Sequence, residues 1–146
     1  MAFRPYLFFG GNCREAFTRY QQIFGGELAL VSMKDVPGEE PPADKADLII
    51  HAALTVGDDL LMASDDPMAD GFGPVQGMMV SYDAPDVEEA KRVFDALAEG
   101  GNVTQPLAPT FFSDAFAMCT DRFGTPWMVV GPPREQPNEP GHEIGF

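Results

Sequence analysis

Apolar and polar positions along this chain change period in the same order twice. Residues 3–9 form a short, nearly continuous apolar run, which reads as a strand. In EAFTRYQQIFGGE, residues 15–27, the spacing becomes helical. Ala16, Phe17, Tyr20, Ile23 and Phe24 fall on one stripe there. Three strand-like runs follow, over residues 27–34, 47–56 and 60–64. Gly57-Asp58-Asp59 separates the last two as a hairpin turn. The second half repeats the order. A strand over 77–82 precedes EAKRVFDALAEGGNV, residues 89–103, whose stripe is Ala90, Val93, Phe94, Leu97 and Ala98. Strands over 102–108, 112–120 and 126–130 complete it, the last two joined by Asp121-Arg122-Phe123-Gly124. Both halves read β-α-β-β-β.

The punctuation repeats as well. Each helix closes on a glycine pair, Gly25-Gly26 or Gly100-Gly101. Each opens on an Asx-x-x-Glu sequence, Asn12 to Glu15 or Asp86 to Glu89, the form of a capping box. The Pro- and acid-rich stretch 36–47 reads as a loop. This gives one domain over 1–146: a first module at about 3–65, a linker at 66–76, a second module at about 77–131, and an extended tail at 132–146 with four prolines.

Composition narrows the partners. The chain of 146 residues is 45% hydrophobic, enough for a real core. Its net charge of −14 is spread between apolar residues, with no basic stripe. Nucleic acid and anionic membrane surfaces are therefore poor partners. No apolar run approaches the ~18 residues that span a bilayer, and MAFRPYLFF lacks the form of a secretory signal. Cys13 and Cys119 lie far apart without CxxC spacing, which fits reduced thiols in a cytoplasmic protein.

PYLFFGGNCREAFTRYQQIFGGE, IIHAALTVGDDLLMASD and DRFGTPWMVV, in this order, resemble the vicinal oxygen chelate superfamily, which includes glyoxalase I, bleomycin-resistance protein and extradiol dioxygenases. The closer likeness is to its PhnB-like branch, over residues 3–131. The resemblance implies an α+β fold of two tandem βαβββ modules, whose curled mixed sheets make a cup for a small molecule. It also implies a divalent metal held by one His, Glu or Gln from each of four strands, polarising vicinal oxygens of a substrate. Carried over, the first of those positions falls near Pro5, the second on His51, the third near Gly77 and Met78, and the fourth on Met128. Only His51 can ligate well, because a thioether suits hard divalent ions poorly. No cofactor is thus assigned, although a divalent metal stays open.

The candidate residues follow. His51 lies in an apolar strand, and the preferred reading is a buried, hydrogen-bonded histidine; the alternative is a general base or orienting donor. Cys13, at a helix N-terminus where the macrodipole favours a thiolate, is a conceivable nucleophile but a weaker candidate, since no second Cys or His is near it in sequence and a first-turn cysteine is more often incidental. Asp65-Asp66, with Asp70 beyond, read as turn and cap chemistry. Tyr6, Phe8, His51, Met62, Phe112, Phe116, Trp127 and Met128 are candidates to line the pocket. Strand alternation places Asp114 on the face of Phe112 and Phe116. The final strand reads as an apolar wall, with Trp127 suited to a pocket face or to a core. The expected function is binding of a small apolar or aromatic molecule by a homodimer, with no four-ligand metal site. The alternative is a metal-dependent lyase, isomerase or dioxygenase with a shifted ligand set around His51. Proteins of this branch often carry a ubiquinone-methylation name, but no strand here runs into a GxGxG turn that would seat a nucleotide-like cofactor.

Overall fold

The structure, a computed structural model, describes residues 1–38, 40–66 and 75–134. The chain divides into two compact units, Met1–Gly73 and Pro74–Phe146. Each holds one four-stranded mixed sheet and one long helix. The fold is α+β, as the doubled pattern predicts. Residues 67–74 and 135–146, with most of the expected linker and tail, lie outside the described residues, as do Asp70 and His142.

The first unit runs β1 (Tyr6–Phe9), α1 (Cys13–Phe24), β2 (Glu27–Ser32), β3 (Ile49–Val56) and β4 (Asp59–Asp65). Its sheet order is β1-β4-β3-β2, with β1 parallel to β4 and the other pairs antiparallel. The face of Leu7, Phe9, Ala52, Leu54 and Ala63 is buried. It packs under Cys13, Ala16, Phe17, Tyr20 and Ile23 of α1. The Phe17 ring meets Phe9 edge-on at 6.1 Å between centroids and Tyr20 at 5.4 Å. Burying one such ring contributes about 1.5–3 kcal/mol. β2 stops two residues short of the expected strand, because the Asp35 carboxylate takes the backbone N–H and hydroxyl of Ser32 and turns 33–35 into a 3₁₀ helix.

The second unit runs β5 (Val80–Asp83), α2 (Val87–Ala98), β6 (Asn102–Ala108), β7 (Phe116–Thr120) and β8 (Pro126–Val130), in sheet order β5-β8-β7-β6. Ala90, Val93, Phe94 and Leu97 of α2 are buried, as are Ala117, Cys119, Trp127 and Val129 of the sheet. β7 begins four residues later than its sequence suggests. The Thr110 hydroxyl accepts from the backbone of Phe112 and Ser113, and the Ser113 hydroxyl donates to the carbonyls of Ala115 and Gly131. With an isolated antiparallel bridge from Ser113 to Pro133, these bonds hold 110–115 outside the regular strand. Even so, the expected alternation is kept in burial: Ser113 and Ala115 are buried, while Phe112, Asp114 and Phe116 are not. Asp114 is exposed and ion-paired to Arg134 at 3.0 Å, and the Phe112 and Phe116 rings meet at 5.2 Å.

The glycine pairs occupy equivalent places. A Cβ on Gly26 would collide with the Thr55 carbonyl at the end of β3, and one on Gly101 with the Thr120 carbonyl at the end of β7. The chain leaves each helix and enters the next strand too close to its neighbour for any side chain.

The helix entrances differ. Asp86 caps α2 as expected, accepting the Glu89 N–H at 2.7 Å. Glu89 does not reach back, because its carboxylate is held by Arg92. Asn12 makes no side-chain cap bond to α1 at all. That place is taken by Asp65 from the end of β4. Its Oδ1 accepts the N–H of Gly11 at 2.9 Å and of Cys13 at 3.0 Å, and its Oδ2 accepts that of Ile49 at 2.9 Å. Asp65 is 4% exposed. Denaturant midpoints should rank the three sites: Asn12→Ala costs under ~0.5 kcal/mol and Asp86→Ala about 1 kcal/mol, while Asp65→Ala costs at least ~3 kcal/mol.

Candidate functional site

A sheet that buries one face under a helix leaves the other face open. In the first unit the open face carries Tyr6 and Phe8 of β1, Val31 of β2, His51 and Ala53 of β3, and Met62 of β4. Register brings them together: Tyr6 lies beside Met62, Met62 beside Ala53, and His51 beside Val31. Phe8 is 57% exposed and Tyr6 38%. Their rings are 5.3 Å apart. The Tyr6 hydroxyl lies 3.5 Å from Nδ1 of His51, with the rings 6.0 Å apart and tilted by 33°.

His51 is therefore not the buried core histidine preferred from its apolar neighbours. It is half-exposed, because strand alternation turns it away from the face of Ala52 and Leu54. Its Nε2 has no hydrogen-bond partner among the described residues. The contact with Tyr6, 45 residues distant, has no signature in the sequence.

In the second unit the open side of β7 and β8 carries the half-buried Met118 and Met128, which pair directly. Phe116 lies on the same side, with the Phe112 ring against it. Met118 escaped the sequence reading, although its place between Ala117 and Cys119, both buried, marks it as facing away from the core.

Trp127 parts from this group. It pairs with Cys119 on the helix-facing side and is 2% exposed. Its indole N–H donates to Oδ2 of Asp121 at 2.8 Å. Oδ1 of the same buried carboxylate accepts the N–H of Phe123 and of Thr125. Trp127 thus belongs to the core of this unit and not to the open face, a correction that follows from the one-residue offset between it and Met128.

Cys13 is also corrected. Its place at the start of α1 suggested a stabilised thiolate, but the side chain is fully buried. Burial pushes the thiol up to about 12, and the Asp65 carboxylate pushes the same way against a smaller opposing effect of Arg14. Desolvation and a like charge outweigh the helix dipole. Cys119, read as core, is buried and raised to about 11 by burial and by Asp121.

The donor set does not fit the superfamily metal site. Of the four carried-over positions, His51 alone offers a good ligand. Pro5 has no side-chain donor, and Met128 offers a thioether. Among the described residues no group of three or more His, Cys, Asp or Glu is placed to hold a metal ion. No helix among them is long and apolar enough to cross a membrane.

Two βαβββ units, each with a helix on one sheet face and the other open, define a protein of the vicinal oxygen chelate type. The fold is similar to that of a glyoxalase/bleomycin resistance protein/dioxygenase family enzyme from Burkholderia phytofirmans, at 14% identity and a TM-score of 0.59 over 88% of this chain and 95% of that one. Within that class, the chain belongs to the PhnB-like family whose model, described as 3-demethylubiquinone-9 3-methyltransferase, matches residues 1–130. It is 36% identical to Protein YjdN of Escherichia coli over 142 residues, covering 88% of this chain and 94% of that protein. It is also similar to the crystal structure of protein PA1353 from Pseudomonas aeruginosa, at 48% identity and a TM-score of 0.82, over 90% of this chain and 97% of that one. A putative 3-demethylubiquinone-9 3-methyltransferase, PhnB protein, from Bacillus cereus matches at 26% identity and a TM-score of 0.74, over 90% and 100%. The methyltransferase description is a family label.

The two thiols supply a check on the core. Both folded values lie above the ordinary 9.0, so the neutral thiol is the form the fold favours. Their contribution to stability is complete below pH 9.0 and is lost as pH rises through about 11 to 12. At about pH 8 a thiol reagent should label neither cysteine in the folded chain and both in denaturant, read by mass spectrometry.

Proposed function

We propose that this protein binds a small apolar or aromatic molecule on the open faces of its sheets, without the four-ligand metal site of glyoxalase-type enzymes. The observation that carries this reading is the exposure of Tyr6 and Phe8 beside Met62 and His51. Aromatic side chains left in water on a rigid strand give a binding surface at little cost in ordering. Met118 and Met128, with Phe116, supply an adaptable apolar surface of the same kind in the second unit. The proposal includes a homodimer acting in the cytoplasm. Two buried, unpaired thiols suit a reducing compartment. Edge strands β1 and β5 are available to pair with a second chain.

A second reading is a metal-dependent lyase, isomerase or dioxygenase with an altered ligand set around His51. What favours it is the uncommitted Nε2 of His51 on a strand that supplies ligands in the superfamily.

Two measurements separate the readings. Nile red, a neutral probe, should gain fluorescence with the wild-type protein, and Phe8→Ala or Phe116→Ala should weaken its binding roughly fivefold or more. Binding that is absent, or unchanged in both variants, sinks the first reading. Metal content of untagged protein purified without chelator should be substoichiometric in wild type and in His51→Ala alike. Stoichiometric metal that disappears in the variant would establish the second reading instead.

A further inference from the structure

We propose that Tyr6 holds His51 as the Nε2–H tautomer, making His51 a hydrogen-bond donor that selects, among aromatic ligands, those carrying a neutral acceptor such as a ketone oxygen. This rests on the binding reading above and narrows it to a ligand class.

The Tyr6 hydroxyl and Nδ1 of His51 are each other's hydrogen-bond partners at 3.5 Å. One of the two must donate. A phenol shares its oxygen lone pair with the ring, which makes it a better donor than acceptor. The bare nitrogen of imidazole is a strong acceptor. The bond therefore runs from the Tyr6 O–H to Nδ1, which leaves the ring proton on Nε2. Since the rings are 6.0 Å apart and tilted, Tyr6 acts on His51 through its hydroxyl and not by stacking.

The surroundings make that proton matter. Nε2 has no partner among the described residues. The neighbours that strand register and ring contacts give to His51 and Tyr6 are apolar: Val31 beside His51, and Met62 and the Phe8 ring beside Tyr6. A hydrocarbon that covers this face strips water from the N–H and returns nothing. A ligand with an acceptor at that point replaces the lost bond. The net charge of −14 works against a carboxylate as that acceptor, so a neutral carbonyl is the better match.

Acetophenone and α-methylstyrene test this. They have nearly the same shape and differ in an oxygen against a methylene carbon. Their affinities for wild type, His51→Phe, Tyr6→Phe and Phe8→Ala would be measured by calorimetry and amide NMR. His51→Phe should lower the preference for acetophenone about fivefold, the value of one hydrogen bond, while leaving α-methylstyrene bound. Phe8→Ala should weaken both probes alike. Tyr6→Phe keeps the ring and removes only the hydroxyl. Long-range ¹H–¹⁵N spectra should show Nδ1 unprotonated and Nε2 protonated in wild type, and a shift toward mixed tautomers in Tyr6→Phe, which a mere packing role would not produce. If both probes bind but His51→Phe leaves their ratio unchanged, or if wild type carries its proton on Nδ1, this inference falls and the binding reading stands. If neither probe binds wild type, both fall.

Discussion

The first unit depends on one buried carboxylate. Asp65 ends β4, yet its oxygens close the loop after β1, start α1 and fix the first residue of β3. A charged oxygen pair removed from water is stable only when its lone pairs are filled, and here three backbone N–H groups and a helix N-terminus fill them. In return, three backbone donors that β1, α1 and β3 would leave unpaired find an acceptor. The second unit solves the same problem elsewhere. Asp121 sits in the β7–β8 turn, holds the turn's own amides, and binds the indole of Trp127. The modules repeat in topology but not in where they place their buried charge.

The open face is a consequence of that arrangement. Asp65 sets the start of α1 over the sheet, and the helix covers Leu7, Phe9, Ala52, Leu54 and Ala63. Strand geometry then leaves Tyr6, Phe8, His51 and Met62 on the other side. Burial first, and the same carboxylate second, disfavour the thiolate of Cys13. At the start of α1, Cys13 is a small residue buried between helix and sheet. The imidazole of His51 lies on the opposite face, where its one side-chain partner is Tyr6.

The chain keeps the scaffold of its superfamily and departs from it in donor chemistry. A four-ligand site needs four strands to each project a hard or borderline donor, and the ligand positions here offer Pro5, His51 and Met128 among them. Replacing donors by apolar side chains changes what the same surface can recognise.

The amino-acid sequence by itself determined the doubled βαβββ order, the two helix stripes and the glycine pairs that end the helices. These rest on local periodicity and backbone sterics, which neighbours in sequence carry. It named Tyr6, Phe8, His51, Met62, Phe116 and Met128 without telling which sheet face they share, since alternation is local but the choice of face is not. It misjudged the cap at Asn12, the strand start at Phe112 and the burial of His51, and it left open whether Trp127 faces the core and what surrounds Cys13. Each of those is decided by a partner far along the chain or by a one-residue choice of face. Asp65 lies 52 residues from the amide of Cys13, and Tyr6 lies 45 residues from His51. Only the tertiary structure could bring these groups together, since hydrogen bonding and desolvation depend on distance in space and leave no periodic trace along the chain.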